Sequence, residues 1–256
     1  MNFMFRKYHG AGNDFVLFYH TPSVAKLTRD AIQKICDRRY GVGSDGILWV
    51  EVLRKNYLKI DFYNPDGSES FCGNGARCAL RMAFEDGKID ATGNFWGNDG
   101  EHSYEVFSHD VEISMAIAEY PVMLGSDWYV NTGSPHYVMF RDGIDQVDML
   151  KVGREIRYGE RWKEKGVNVN IAEWQSNVLN MRTYERGVED ETLSCGTGVT
   201  AAAICAANEK PDISELAIKT RGGSFVVRWL RLDDGSITNV RLRGPAQFVF
   251  EGYWTV

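Results

Sequence analysis

The chain has 256 residues, 44% hydrophobic and 25% charged, with a formal net charge of −6 at pH 7. That is material for a packed core, in one large domain or two of ordinary size, with the balance of a soluble globular protein. An acidic chain without a Lys or Arg run excludes a nucleic-acid partner, and no apolar stretch reaches the length of a membrane span.

Residues 3–8 and 15–19 read as strands joined by the turn His9-Gly10-Ala11-Gly12-Asn13. The opening residues Met1 to Lys7 lack the apolar core of a secretory signal. Five cysteines at low density fit a reducing compartment better than a disulfide framework, so a cytoplasmic location is expected. Thr28 offers an N-cap for a helix over 30–39, whose Ala31, Ile32 and Ile35 make an apolar stripe. Gly41-Val42-Gly43-Ser44-Asp45-Gly46 has the letters of a dinucleotide fingerprint, which requires a strand before and a helix after. Here the helix comes first and the strand 47–52 follows, so the segment reads as a turn. A strand over 57–63 leads into the turn Asn64-Pro65-Asp66-Gly67. A helix over 76–84 follows Cys72-Gly73-Asn74-Gly75 and stops near Asp86-Gly87, where glycine suits a C-cap. The Gly-, Asn- and Asp-rich residues 90–103 read as a loop, and the alternation over 111–115 as a half-buried strand.

The boundary between halves is placed around 118–126, giving domains 1–118 and 119–245, with a last strand near 246–256 returning to the first. In the second half, strands at 129–130 and 137–140 flank Asn131-Thr132-Gly133-Ser134-Pro135-His136. A polar-faced helix over 146–157 and strands at 167–171 and 178–184 come next. A second cysteine turn, Cys195-Gly196-Thr197-Gly198, opens a helix over 199–207 that is apolar nearly all round. Strands at 215–221, 224–232, 237–243 and 247–251 close the chain. The halves repeat: Gly12 precedes Cys72 by 60 residues and Gly133 precedes Cys195 by 62, with Gly43 and Asn168 at 29 and 27 before the same cysteines.

A cysteine at a glycine-rich helix start faces unpaired N–H groups and the positive end of the helix dipole, which favours the thiolate. Two such cysteines in matching domains would meet a substrate carbon from opposite faces, one thiolate removing a proton while the opposite thiol supplies another. The backbone N–H groups of Gly73, Asn74, Gly196 and Thr197 would hold a carboxylate on that carbon, more strongly as charge moves onto it. No cofactor or metal is required.

Six segments carry a resemblance that spans nearly the whole chain. They are His9-Gly10-Ala11-Gly12-Asn13-Asp14-Phe15, Gly41 to Gly46, Asn64-Pro65-Asp66-Gly67-Ser68, Cys72-Gly73-Asn74-Gly75-Ala76-Arg77-Cys78, Tyr184-Glu185-Arg186-Gly187 and Ser194-Cys195-Gly196-Thr197-Gly198. In them the chain resembles the diaminopimelate epimerases, cofactor-independent amino-acid epimerases. The resemblance implies an α/β fold of two pseudo-symmetric domains, each a curved, mostly antiparallel sheet around a central helix. It implies interconversion of LL- and meso-diaminopimelate for lysine and peptidoglycan precursor synthesis, with Cys72 and Cys195 as acid/base residues. It further implies substrate contacts from Asn13, Asn64, Asn168, Glu185 and Arg186, assistance to the thiols from His136 and Glu185, and a homodimer. Two positions depart from the pattern: Ser134 stands where many members carry asparagine, and Gly46 where some carry glutamine.

Other readings stand beside these. Cys36 and Cys205 read as packed thiols, and Cys78 lies on another helix face from Cys72 with no C-x-x-C to suggest zinc. His9 and His20 read as loop residues, and His102 and His109 as solvated loop positions. His136 divides between structural hydrogen bonding and catalysis. Asn13 and Asn64 sit in turns that asparagine favours anyway, and Glu185 with Arg186 could form a surface ion pair. Trp49, Trp174 and Trp229 read as core or interface. Rival functions are a related racemase of proline, hydroxyproline or histidine, a sensor with a Cys72–Cys195 disulfide, and a plain ligand-binding module. Proline-type members carry His where this chain has Asn74, which counts against them.

Overall fold

The computed structural model describes residues 2–20 and 27–255, with seventeen strands and four α-helices among them. The class is mixed α/β, as the resemblance implies. The chain divides into two compact units, Met1–Ile113 with Gly244–Val256, and Ser114–Arg243.

In the first unit, β1 (Asn2–Gly10) and β2 (Asn13–Tyr19) form a hairpin with Gly10 opposite Asn13. Ala11 and Gly12 between them have φ of 53° and 84°, the left-handed pair a two-residue hairpin turn needs. α1 (Arg29–Cys36) starts at Thr28, whose side chain accepts from the Ala31 N–H. It ends three residues short of the expected 39, because Asp37 turns extended and its carboxylate takes the N–H groups of Arg39 and Tyr40. The turn over Gly41–Asp45 then feeds β3 (Gly46–Arg54), which is parallel to β2, and β4 (Tyr57–Tyr63) runs antiparallel to β3.

Next come α2 (Gly73–Glu85), β5 (Thr92–Gly97), β6 (Gly100–Val106) and β7 (Asp110–Ser114). β5 is parallel to β4, and β5, β6 and β7 pair antiparallel in turn. Residues 90–103, expected as a loop, are therefore mostly the β5–β6 hairpin. Phe95, His102, Tyr104 and Val106 point inward while the Asn, Thr and Glu residues between them supply the outer face, so polar composition masked a half-buried strand pair. The last strand of the chain, Gln247–Thr255, lies antiparallel along β1, from Asn2 opposite Thr255 to His9 opposite Gln247. It is longer than the expected 247–251, and position 256 of the expected segment lies outside the described residues.

This sheet is covered on both faces, which is why β2 and β3 read as unbroken apolar runs. Val16, Phe18, Ile47 and Trp49 pack with Ile32, Ile35 and Cys36 of α1. Leu48 faces the other way, onto α2, where a Cβ at Gly75 would come within 3.1 Å of it.

The second unit contains β8 (Glu119–Leu124), β9 (Asp127–Asn131), β10 (Pro135–Phe140), α3 (Met149–Arg157), β11 (Asn168–Gln175), β12 (Val178–Glu185) and β13 (Asp190–Thr192). After these come α4 (Gly196–Glu209), β14 (Glu215–Thr220), β15 (Gly223–Arg231) and β16 (Ile237–Pro245), making the final strand β17. Its pairings copy those of the first unit. β10 is parallel to β11, β11 antiparallel to β12, β12 parallel to β14, and β14, β15 and β16 are antiparallel in turn. β8 lies along β9 as β17 lies along β1. The helix expected over 146–157 is split into a 3-10 turn, Ile144–Gln146, and α3. Asp148 starts α3 by accepting from the Lys151 N–H. α3 reaches the sheet because position 153 is glycine: a Cβ there would lie 2.3 Å from Tyr184 Cγ.

Candidate active site

Both cysteines occupy the N-cap of the central helix of their unit, in nearly the same backbone conformation. Cys72 has φ −131° and ψ 105°, and Cys195 has φ −127° and ψ 112°. Each carbonyl accepts the first helical bond, from Ala76 and Val199, at 2.8 Å. Neither side chain caps its own helix, so no cysteine takes up the first-turn N–H groups that could receive an anion. Both helices start at the glycine after cysteine, three residues before the expected 76 and 199.

In the first unit, a run of polar side chains leads to Cys72. Its Sγ lies 3.8 Å from Asn13 Oδ1, which also accepts from Asn74 Nδ2 at 3.2 Å. Asn13 Nδ2 donates to Asp45 at 2.7 Å, and Asn74 Oδ1 accepts from Arg77 at 2.6 Å. The β1–β2 turn makes this approach possible because Gly10 lies close over α2, where a Cβ would sit 3.0 Å from the Asn74 carbonyl. Arg77 is fully buried, and desolvation lowers its guanidinium to about 10. Behind Asn13, Asp14 meets Lys7 and Arg38, and Lys7 also donates to the Gly43 carbonyl. Burial works against ionising Asp14, but hydrogen bonds from Arg38 and Lys7 hold its pKa below the ordinary carboxylate value. Asn64 is placed apart from this run among the described contacts. Its amide donates to Ser68 and Ser70 and shapes the turn before α2.

In the second unit, Cys195 Sγ lies 3.3 Å from the Thr197 hydroxyl, which lies 2.9 Å from His136 Nε2. His136 Nδ1 meets Asn170 Nδ2 at 3.1 Å, and Asn170 Oδ1 accepts from Thr183 at 3.0 Å. His136 is fully buried on β10; desolvation, helped by the charge of Arg186, lowers its pKa to about 3, so the ring is neutral. Gly198 permits this packing, since a Cβ there would lie 2.6 Å from Asn170 Oδ1. Asn168 is also buried and its amide is engaged on both sides. Nδ2 donates to Ser134 and the Pro135 carbonyl, and Oδ1 accepts from the Arg186 N–H. The Arg186 guanidinium donates to the Lys165 carbonyl at 2.9 Å and to Ser134 at 3.4 Å. Glu185, half-buried, ends β12 opposite Asp190.

Several side chains in these runs were not singled out from the sequence, among them Asp45, Arg77 and Asn170. Asp45 sits inside the glycine segment read as a mere turn. Asn170 shares the strand face of Asn168, two residues on. His102, expected in solvent, is instead buried and stacked between Phe71 and Phe95, with ring centroids 4.5 and 5.0 Å away, while Nε2 meets Asp99 at 2.9 Å. Cys36, Cys78 and Cys205 are buried, and desolvation raises all three thiols. Among the described residues no cluster of three His, Cys, Asp or Glu side chains could hold a metal. Likewise, none of their helices is long and apolar enough to cross a membrane.

The sequence profile of the family described as Diaminopimelate epimerase matches residues 5–121 and 128–249. A diaminopimelate epimerase of Flavobacterium psychrophilum is 39% identical over 251 residues, covering 96% of this chain and 97% of that one. One from Methanocella arvoryzae is 33% identical over 281 residues, covering 97% and 95%. Among solved structures, a phenazine biosynthesis protein of the PhzF family from Bacillus anthracis superposes with a TM-score of 0.77 at 13% identity, over 100% of both chains. That likeness is one of fold.

Proposed function

The chain belongs to the diaminopimelate epimerase family, and on that premise we propose that Cys72 and Cys195 are its two acid/base residues. The enzyme is an isomerase, a diaminopimelate epimerase. In the proposed reaction one cysteine, as thiolate, takes the α-proton of the substrate and becomes a thiol. The other, as thiol, returns a proton to the opposite face and becomes a thiolate, so LL- and meso-diaminopimelate interconvert. Charge that flows onto the α-carboxylate is stabilised by the N–H groups of Gly73, Asn74, Gly196 and Thr197 at the two positive helix ends. Arg186 provides a forked donor for the distal carboxylate. Asn13, Asn64, Asn168 and Glu185 complete recognition, and His136 with Glu185 assists the thiols. No cofactor takes part.

The observation that carries this reading is the matched N-cap geometry of the two cysteines. Incubation with LL-substrate in deuterated water tests it. One deuterium should enter at an α-carbon as the meso isomer forms, and Cys72→Ala or Cys195→Ala should cut turnover by about 10²–10⁴-fold. Full epimerisation by either variant would rule out the two-cysteine reaction. A panel of diaminopimelate, proline, hydroxyproline and histidine separates this substrate from those of related racemases.

The same reading includes a cytoplasmic enzyme serving lysine and peptidoglycan precursor synthesis, acting as a homodimer. Support for a dimer comes from β17, where Phe248, Val249, Phe250 and Tyr253 are 48, 49, 44 and 71% exposed.

A further inference from the structure

We propose that the two cysteines differ at rest: the Thr197 hydroxyl donates to Cys195 and holds it as the thiolate, while Asn13 accepts from Cys72 and holds it as the thiol. The proposal deepens the two-cysteine reading above and rests on it. Each sulfur is linked, through side chains that can point either way, to groups whose polarity is fixed.

On the Cys72 side the fixed ends are a guanidinium and a carboxylate. Arg77 only donates, and its Nη2 lies 2.6 Å from Asn74, so the Asn74 atom there is its oxygen. The Asn74 amide nitrogen is then left to donate to Asn13 at 3.2 Å. At the other end Asp45 only accepts, and it lies 2.7 Å from Asn13, so the Asn13 atom there is its nitrogen. Both ends give one answer: the Asn13 atom 3.8 Å from Cys72 Sγ is an oxygen. An oxygen in that place accepts from S–H and disfavours the thiolate.

The Cys195 side runs the opposite way. The Tyr137 carbonyl only accepts, and it lies 3.2 Å from Asn170 Nδ2. Asn170 therefore also turns an N–H toward His136 Nδ1, at 3.1 Å. The neutral ring must accept at Nδ1, which leaves its proton on Nε2. That proton is donated to the Thr197 oxygen at 2.9 Å. The hydroxyl hydrogen of Thr197 then turns to Cys195 Sγ, 3.3 Å away. A donor in that place favours the thiolate.

Charged and titratable groups stand around both sulfurs. Arg77 and Cys78 on α2 act on Cys72, with Asp45 behind Asn13; Arg186 acts on His136 beyond Thr197. Arg77 draws Cys72 toward the thiolate, as the start of its helix does for each cysteine. Its close contact, however, is with Asn74, and its field is shared with Cys78 and Asp110. The direct hydrogen bonds thus set the order. Because each turnover exchanges the protonation of the two sulfurs, the preference selects which stereoisomer meets a ready enzyme and which meets one that must first redistribute its proton.

Cys72→Ala and Cys195→Ala each leave one of these thiols to titrate without the other. The rate of iodoacetamide labelling at the remaining thiol, followed by peptide mass across pH, gives its midpoint independently of access. Cys195 should have the lower midpoint. Adding Thr197→Val, which keeps the shape and removes the hydroxyl, should raise the Cys195 midpoint by about one to two pH units, the worth of one hydrogen bond to a charged group. Thr197→Ser should restore it, and the Cys72 midpoint should not move with either change. Asn170→Asp provides a second route. A carboxylate would accept from Nδ1–H, turn Nε2 into the acceptor for Thr197, and raise the Cys195 midpoint with Thr197 intact.

Reversed or equal midpoints, or a Cys195 midpoint unmoved by Thr197→Val or Asn170→Asp, overturn the proposal. Deuterium incorporation by the unaltered enzyme reports on the parent reading separately. Incorporation with reversed midpoints removes this inference alone, whereas no incorporation removes the two-cysteine reaction itself.

Discussion

A methyl group added at Gly198 would meet Asn170 Oδ1 at 2.6 Å, Cys195 Cβ at 3.3 Å and His136 Cε1 at 3.4 Å, none of them the free end of a flexible chain. Gly198→Ala should therefore lower stability by about 1–3 kcal/mol in urea unfolding, and reduce kcat by disturbing the Thr197–His136 contact. Gly46 is constrained in the same manner by Phe62, whose Cε2 would lie 2.3 Å from an added Cβ. His136 gives a pH signature. Its pKa falls from 6.5 to about 3 on folding, so between those values the unfolded chain binds a proton that the folded one refuses. The contribution is whole above 6.5 and is lost as pH drops toward 3. Urea midpoints should decline across that window, and His136→Asn should flatten the decline.

At the C-terminal end of α2, Gly87 (φ 66°) donates to the Phe84 carbonyl and Lys88 to that of Ala83, closing the helix with a left-handed glycine. Nothing lies within 4 Å of a Cβ built there. Gly87→Ala should then cost only the backbone penalty, about 1 kcal/mol, in urea unfolding and leave epimerisation unchanged. This stop was legible from Asp86-Gly87, as were α4, the double-sided strands β2 and β3, and the paired cysteine turns, because local chemistry and burial agree in each. The β5–β6 hairpin was not legible: its outward Asn, Thr and Glu residues look like loop until Phe95, His102 and Tyr104 are seen to share a buried face. Nor could the polar runs to Cys72 and Cys195 be read in advance. The direction of an asparagine amide or a histidine tautomer is set by partners such as Asp45 and the Tyr137 carbonyl, 32 and 33 residues away in the chain. The two roles of Asn13, a turn residue by composition and the neighbour of a thiol by contact, illustrate why residue type alone left both readings open.

Over the whole molecule, the repeated order of parallel and antiparallel pairings in the two units fits duplication of one ancestral unit, which the near-equal glycine-to-cysteine spacings already suggest. The proposed dimer makes a prediction at this scale. The enzyme should sediment at twice its 29.0 kDa chain mass, and Val249→Glu with Tyr253→Glu should shift it to the single-chain mass; unchanged sedimentation would locate the interface elsewhere. β1 and β17 are partners, yet residues 114–243 are translated between them. At ordinary synthesis rates the ribosome takes on the order of ten seconds to make that stretch, during which the nascent β1 has no β17 to lie against. The second unit, uninterrupted, can be complete before the first, so the order of folding on the ribosome inverts the order of translation.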